Sequence, residues 1–333
     1  MKVKVGIMSF AHLHADSYAH CLLSNPRAEF LGIADHDLHR AQQKAEQYGV
    51  HAFDSYESLL ASEVQAVIIC SENVKHAPLA QMAAAAGKHI LCEKPLMTRP
   101  EDGRAMLMAA RGAGVQLFTA FPCRFSPAFQ QLRAMVQAGA IGELLAMRGT
   151  NRGVNPGGWF NDPELAGGGA MMDHTVHVAD LMRLLTGQEI VEVYAETNNL
   201  MYHGNFDDTA MLTLTFERGI FATLDSSWSR PRTFPTWGDV TLAVYGTRGV
   251  IEMDMFAQYL RHYDDRAGRI RQLFWGDNID ALMIDEFLRA VSGEPAPTLA
   301  TGEDGYKAAA VAIAGYESVR RGEPVRVEYN ISG

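Results

Sequence analysis

The first 120 residues alternate short apolar runs with helical patterns, and this alternation restricts the fold more than any other feature. Val3 to Met8 is a strand candidate. Residues 12–24 then carry Ala15, Tyr18, Ala19, Leu22 and Leu23 at helical spacing and close at Asn25-Pro26. Phe30 to Ala34 predicts a second strand, followed by a helix with Leu38, Ala41, Ala45 and Tyr48 on one face and Gly49 as its stop. Ala66 to Cys70, His89 to Cys92 and Val115 to Thr119 predict further strands. Between them, Leu79, Met82, Ala83 and Ala86 line a helix ending at Gly87, and Thr98 with Glu101 reads as a capping box for the next. Strands that are apolar almost throughout need a sheet covered on both faces, and intervening helices make its pairing parallel. The handedness of such crossovers gives a doubly wound α/β fold with ligands at the carboxyl ends of the strands.

After residue 122 the pattern changes. Ser126-Pro127 opens a helix ending at Gly139, a second helix covers about 169–186, and long alternating strands follow at 189–202, 208–217, 219–229, 239–246 and 248–254. The turns at 216–219 and 246–249 read as hairpins, and late helices occupy about 278–292 and 302–320. The expected organisation is a nucleotide-type domain over 1–122 and an α+β domain with a large, mostly antiparallel sheet over 123–333.

Charge and cysteine usage narrow the class of function. Lys plus Arg is 29 against 39 Asp plus Glu, a net charge of −10, which argues against nucleic acid and against an anionic membrane surface. No apolar run is long enough to span a bilayer, and the N-terminus has no signal-peptide pattern. Cys21, Cys70, Cys92 and Cys123 are far apart, which fits a reducing cytoplasm better than a disulfide framework or a zinc site.

The turn after the first strand, Ser9-Phe10-Ala11-His12-Leu13-His14, stands where a dinucleotide fingerprint would sit, but Ser9, Ala11 and His14 replace its glycines. It reads equally as an anion-binding helix start or as a plain strand-to-helix turn. Asp35, directly after the second strand, can accept ribose hydroxyls and repel a 2′-phosphate, favouring NAD over NADP, while His36 and Arg40 could compensate a phosphate. Asp37 is placed to cap the following helix, which would leave Asp35 free for a ligand. His12, His14, Asp16 and His20 invite a metal reading. It is set aside because His12 and His14, two residues apart, point to nearly opposite sides of a helix.

Two places point at chemistry. Residues 167–186 form a helix apolar nearly all round, yet Asp173, His177 and Asp180 share one face. That is the arrangement of a general base and its orienting carboxylate, or of a satisfied helix–helix network. His174 projects elsewhere and reads as structural or at the margin of the site. Lys94, in Glu93-Lys94-Pro95 after a parallel strand, can stabilise an alkoxide or merely pair with Glu93.

These segments carry a resemblance. Gly87-Lys88-His89-Ile90-Leu91-Cys92-Glu93-Lys94-Pro95, Gly167-Gly168-Gly169 with Asp173-x-x-x-His177, and Thr301-Gly302-Glu303-Asp304-Gly305 make the chain similar to the Gfo/Idh/MocA family of sugar and polyol oxidoreductases. The resemblance implies a Rossmann domain followed by an α/β domain whose open sheet often joins dimers or tetramers. It implies Lys94 and His177 as the catalytic pair, with Asp173 on a substrate hydroxyl. It further implies nicotinamide-cofactor contacts from Ser9, Phe10, Ala11, His12 and Leu13, from Ser71, Asn73 and His76, and from Glu93 and Lys94. Arg124 and Trp159 match positions that line the active site. The expectation is an NAD-dependent dehydrogenase without a metal, in which His177 takes a hydroxyl proton, Lys94 stabilises the alkoxide and Asp173 orients substrate and supports His177. An NAD-dependent glycosidase and a sugar-sensing regulator are the alternatives. Arg152, Asn155, Trp159, His203, Arg230 and Trp237 could all reach a polyhydroxylated ligand, and for all but Trp159 a surface or packing role is the favoured reading.

Overall fold

The computed structural model describes residues 2–274 and 276–331. Its N-terminal part runs β1 (Val3–Met8), α1 (His14–Ser24), β2 (Ala28–Ala34), α2 (Leu38–Tyr48), β3 (His51–Phe53), α3 (Tyr56–Ala61), β4 (Ala66–Ile69), α4 (His76–Ala85), β5 (His89–Cys92), α5 (Pro100–Ala113) and β6 (Leu117–Thr119). The strands pair in parallel in the order β6-β5-β4-β1-β2-β3. The apolar runs divide their side chains between two cores. Val5, Ile7, Ile68 and Leu91 face the side of α1 and α2, while Met8, Val67, Ile69 and Ile90 face the other. Because the order reverses between β1 and β4, a crevice opens there at the carboxyl ends of the strands.

The second part runs α6 (Pro127–Gln137), β7 (Leu144–Thr150), α7 (Pro163–Ala166), α8 (Ala170–Thr186), β8 (Ile190–Asn198), β9 (Thr209–Phe216), β10 (Phe221–Asp225), β11 (Thr241–Gly246), β12 (Gly249–Asp254), β13 (Tyr259–Asp264), β14 (Arg269–Phe274), α9 (Ile279–Val291), β15 (Ala300–Thr301), α10 (Gly302–Arg321) and β16 (Val325–Arg326). Its large sheet has the order β12-β11-β7-β10-β9-β8-β16 and is antiparallel except where β10 meets β7. Helices α8 and α10 pack together on one face of it. Gly149 lets α8 lie close, since a Cβ there would stand 2.6 Å from Val178 and 2.8 Å from Met182.

The chain crosses the expected division at 122 late in its course. Helix α9 packs on α1, and β15 joins the first sheet antiparallel to β6. Strand β7 and the exposed β13–β14 hairpin were not anticipated. Leu144–Thr150 has no clean alternation, and the hairpin residues Arg261, His262, Arg269 and Arg271 interrupt the apolar pattern on both of its faces. The expected capping box of α5 does not form. Pro100 starts the helix with Arg99 at the cap and no side-chain cap bond, and Thr98 instead lies against Gly167.

Candidate active site

Helix α8 begins at the cleft because partners from far along the chain satisfy its first N–H groups. The Asp207 carboxylate accepts from Gly169 and Met171 at 2.9 and 2.7 Å, and its carbonyl accepts from Ala170 at 2.8 Å. Tyr316 Oη of α10 donates to Asp207 Oδ1 at 2.7 Å and accepts from Gly169 N at 2.9 Å. This seats Asp173 and His177 against the turn after β5, where the Lys94–Pro95 peptide is cis.

Lys94, Asp173 and His177 line one cavity of about 430 Å³ between the two parts of the chain. Lys94 Nζ donates to Asp173 Oδ1 at 2.6 Å and to the Asp173 carbonyl at 3.3 Å, and both side chains are buried. Asp173 Oδ2 accepts from Trp228 Nε1 at 3.1 Å and lies 3.1 Å from His174 Nε2. Burial opposes its charge, but Lys94 and His174 outweigh that and hold the carboxyl well below the usual range. His177 has no such partner. Its Nδ1 is buried without a hydrogen bond, and burial, helped by the Lys94 charge, holds the imidazole well below its usual range. It is therefore neutral, with a lone pair to accept a proton. The expected support of His177 by Asp173 is absent, because Lys94, Trp228 and His174 take that carboxylate.

Several further expectations change. His174 belongs to the cavity, its ring filling the space above Gly153, where a Cβ would lie 2.5 Å from it. Trp228 carries no sequence signal at all. Asp180 leaves the stripe and turns away to Arg124, whose Nε and Nη2 donate to it at 2.6 and 2.5 Å. Arg124, also 3.3 Å from Asp304, is a buried clamp and does not line the cavity. Trp159 is also displaced. Its Nε1 donates to the Ala11 carbonyl at 2.9 Å and its ring stacks on Phe160, so it braces the turn while Phe160, Asn155 and Trp237 line the cavity. Arg152 and Arg230 pair with Asp239, and His203 lies outside the cavity.

At the crevice, Ser9 holds φ of 73°, so it adopts the left-handed conformation that a fingerprint glycine supplies. Phe10 N donates to Asp35 Oδ2 at 2.6 Å, Ala11 N to Ser9 Oγ at 3.2 Å and His12 N to the Cys70 carbonyl at 2.9 Å. Leu13 is exposed at the cavity rim. Asp37 caps α2, as expected, but Asp35 is not free. Arg40 grips it bidentately at 2.7 Å on each oxygen, and His36 Nδ1 stands 3.2 Å away. Burial opposes the charge of Asp35, and Arg40 with the N–H groups of Phe10 and Asp37 still holds it below the usual range.

Beyond β4 and β5, Ser71, Asn73, His76 and Glu93 are all buried. Ser71 Oγ and Asn73 Nδ2 donate to backbone carbonyls, and His76 Nδ1 meets the Pro95 carbonyl at 2.9 Å. Asn73 Oδ1 and His76 Nε2 are buried without partners. Unmet polar atoms at the switch point of a doubly wound sheet, beside a turn in the glycine conformation, fit a bound dinucleotide.

Residues 4–121 match the model of the oxidoreductase family with an NAD-binding Rossmann fold, and residues 129–252 match the GFO/IDH/MocA C-terminal domain. The chain belongs to the Gfo/Idh/MocA oxidoreductase family. It is 30% identical to uncharacterized oxidoreductase YrbE of Bacillus subtilis, over 91% of each chain. It is 29% identical to myo-inositol 2-dehydrogenase of Thermotoga maritima, over 97% of each. Among solved structures, GenD2 from gentamicin A biosynthesis, in complex with NAD, superposes with a TM-score of 0.89 at 24% identity, covering 98% of this chain and 97% of that one. As a member of this family the chain is an NAD-binding oxidoreductase.

Proposed function

We propose that the protein oxidises a secondary alcohol of a cyclic polyol or sugar, or reduces the matching ketone, with NAD(H). The observation that carries this reading is the buried Lys94–Asp173 pair, at 2.6 Å, sharing a cavity wall with a neutral, unpartnered His177. The full-length match to a myo-inositol 2-dehydrogenase supports the substrate class. Bound NAD would supply the hydride acceptor, and Ser9 to Leu13, Asp35, His36, Ser71, Asn73, His76 and Glu93 would hold it, Asp35 only once a ribose displaces part of the Arg40 grip.

His177 takes the hydroxyl proton on a ring nitrogen as the C–H bond breaks. Lys94 stays charged beside the developing alkoxide and lowers its energy electrostatically. Asp173 fixes the ammonium, so Lys94 need not reorganise during reaction. In reduction the imidazolium returns the proton. Phe160, Trp237 and Asn155 shape the space around the ring of the substrate.

No helix among the described residues is long and apolar enough to cross a membrane. All four cysteines are buried and unpaired, which supports a cytoplasmic setting. A homodimer or homotetramer would cover the second sheet at Val191, Met211, Phe221 and Val250, which are exposed in the single chain. Sedimentation tests that assembly.

The deciding assay follows reduced-nicotinamide absorbance with inositols, aldoses and glycosides, NAD and NADP each in turn. Turnover on at least one such alcohol is the expected outcome. Binding of NAD without turnover on any of them would leave a sensor. Release of aglycone without net NADH would make it a glycosidase.

A further inference from the structure

We propose that His12, His14 and Glu93 form a binding site for one divalent transition-metal ion, Zn²⁺ being the type case, on the wall of the catalytic cavity. One donor atom from each residue lies within 4.8 Å of the others. His14 Nδ1 is 3.1 Å from Glu93 Oε1, and His12 Nε2 is 3.8 Å from Glu93 Oε2. The two imidazole centroids are 4.7 Å apart. Glu93 and His12 are almost fully buried, at 0% and 1% exposure, and His12 Nε2 points at the carboxylate with no hydrogen-bond partner. Tyr18, fully buried one helical turn beyond His14, also leaves its hydroxyl unpartnered.

The backbone removes the obstacle that the sequence spacing raised. His12 precedes α1, whereas His14 is its first residue, so the two rings do not share one helical repeat. The turn through Ser9 brings both onto Glu93 at the end of β5. Two imidazoles and one carboxylate suit zinc, iron or cobalt, whereas magnesium and calcium take oxygen sets. Three protein ligands with an open position is the pattern of reactive rather than closed structural sites. His12 and His14 line the cavity together with Lys94, Asp173 and His177, so the open position faces the place of the substrate.

Ligation asks for one rearrangement. His12 Nδ1 now accepts from His14 N at 3.2 Å, and a metal on Nε2 requires the proton on Nδ1 instead. The ion would take a water or a substrate hydroxyl next to the reacting one. That last role rests on the proposed dehydrogenase reading, and the binding of the ion does not.

Because His12 and Glu93 are also assigned to NAD, the test uses the full chain freed of nucleotide and stripped with a chelator, then titrated with Co²⁺ by visible absorption and with Zn²⁺ by calorimetry. Saturable binding of one ion per chain with tetrahedral or five-coordinate ligand-field bands is expected. His14→Ala should weaken it by roughly 100-fold or more, at least the loss that outer partners of metal sites cause. His14 is the partly exposed member, so this variant should fold, and circular dichroism checks that. Glu93→Gln should act in the same direction. Absence of saturable binding, or equal binding by His14→Ala, overturns the site. Metal bound to His12, His14 and Glu93 without any alcohol turnover supports the site and counts against the dehydrogenase reading. Turnover in chelated protein that binds no Co²⁺ overturns the site and leaves that reading standing.

Discussion

Helix α8 carries two buried aspartates that look alike and differ in what surrounds them. Asp173 meets one ammonium, Lys94, beside a cavity, and has Trp228 and His174 on its other oxygen. Asp180, two turns along and outside the lining of that cavity, meets the planar guanidinium of Arg124 bidentately with Arg183 3.7 Å away, and Arg124 also reaches Asp304. Lysine offers a compact charge that can be shared with a ligand, whereas a bidentate arginine is committed to its carboxylate. Lys94 outweighs the effect of burial on its partner, and Arg124 does not. Asp173 is held well below the usual carboxyl range, while burial pushes Asp180 up against the pull of Arg124. An ion pair facing a cavity is thus available for chemistry, and the same pair sealed from it serves the fold.

That contrast can be broken by exchanging the loss. Lys94→Ala or His177→Ala should lower turnover by about 10² to 10⁴, the scale of acid–base and electrostatic contributions. Near-native turnover in both would remove the catalytic assignment. Arg124→Ala should instead destabilise the chain by about 1 to 3 kcal/mol, because Asp180 loses both of its charged hydrogen bonds and keeps only Arg183, 3.7 Å away, as a counter-charge. Denaturant unfolding measures this, and the folded fraction at low temperature should keep its kcat.

Acid sharpens the comparison further. Burial keeps His12, His76 and His177 neutral in the fold, with His12 held down to about 3. The unfolded chain takes up these protons near pH 6.5, so it binds more protons than the native state below that pH. Stability is then fully present above about pH 6.5 and falls as pH drops, by about 1.4 kcal/mol per unit for each such group until its native value is reached. Melting temperature against pH reads the slope, and His76→Gln should flatten it. The acid limb of kcat/KM, if His177 is the base, should lie below the ordinary histidine range.

The smallest effect concerns Asp35 and Arg40. Asp35→Ser frees the Arg40 guanidinium and should raise NADP affinity relative to NAD by about tenfold, equivalent to about 1.4 kcal/mol. Arg40→Ala should move the preference the other way, read by calorimetry with both nucleotides.

Much of this arrangement was legible in the chain. Continuous apolar runs such as Ala66 to Cys70, separated by helices, announce a parallel sheet, because only a sheet covered on both faces accepts them. Lys94, Asp173 and His177 stood out as candidates because charge on a strand end and on an otherwise apolar helix needs a reason, and the resemblance to the family is what singled them out together. The missed residues share a different cause. Trp228 and His174 acquire meaning only from Asp173, and Arg124 and Trp159 matched family positions but were drawn to Asp180 and to the Ala11 carbonyl. The altered turn misled in the opposite sense, since Ser9 adopts the glycine conformation without being glycine.

The sequence by itself therefore determined the layered architecture and the small set of polar residues that burial would make costly, because periodicity and composition are local properties of a chain. Which aspartate meets a lysine beside a cavity and which meets a sealed arginine was decided by the tertiary structure alone. So was the convergence of His12 and His14 on Glu93. Partners 79 residues apart, as Lys94 and Asp173 are, come together only when two sheets pack, and the proton affinity of each group follows from that packing rather than from its neighbours in the chain.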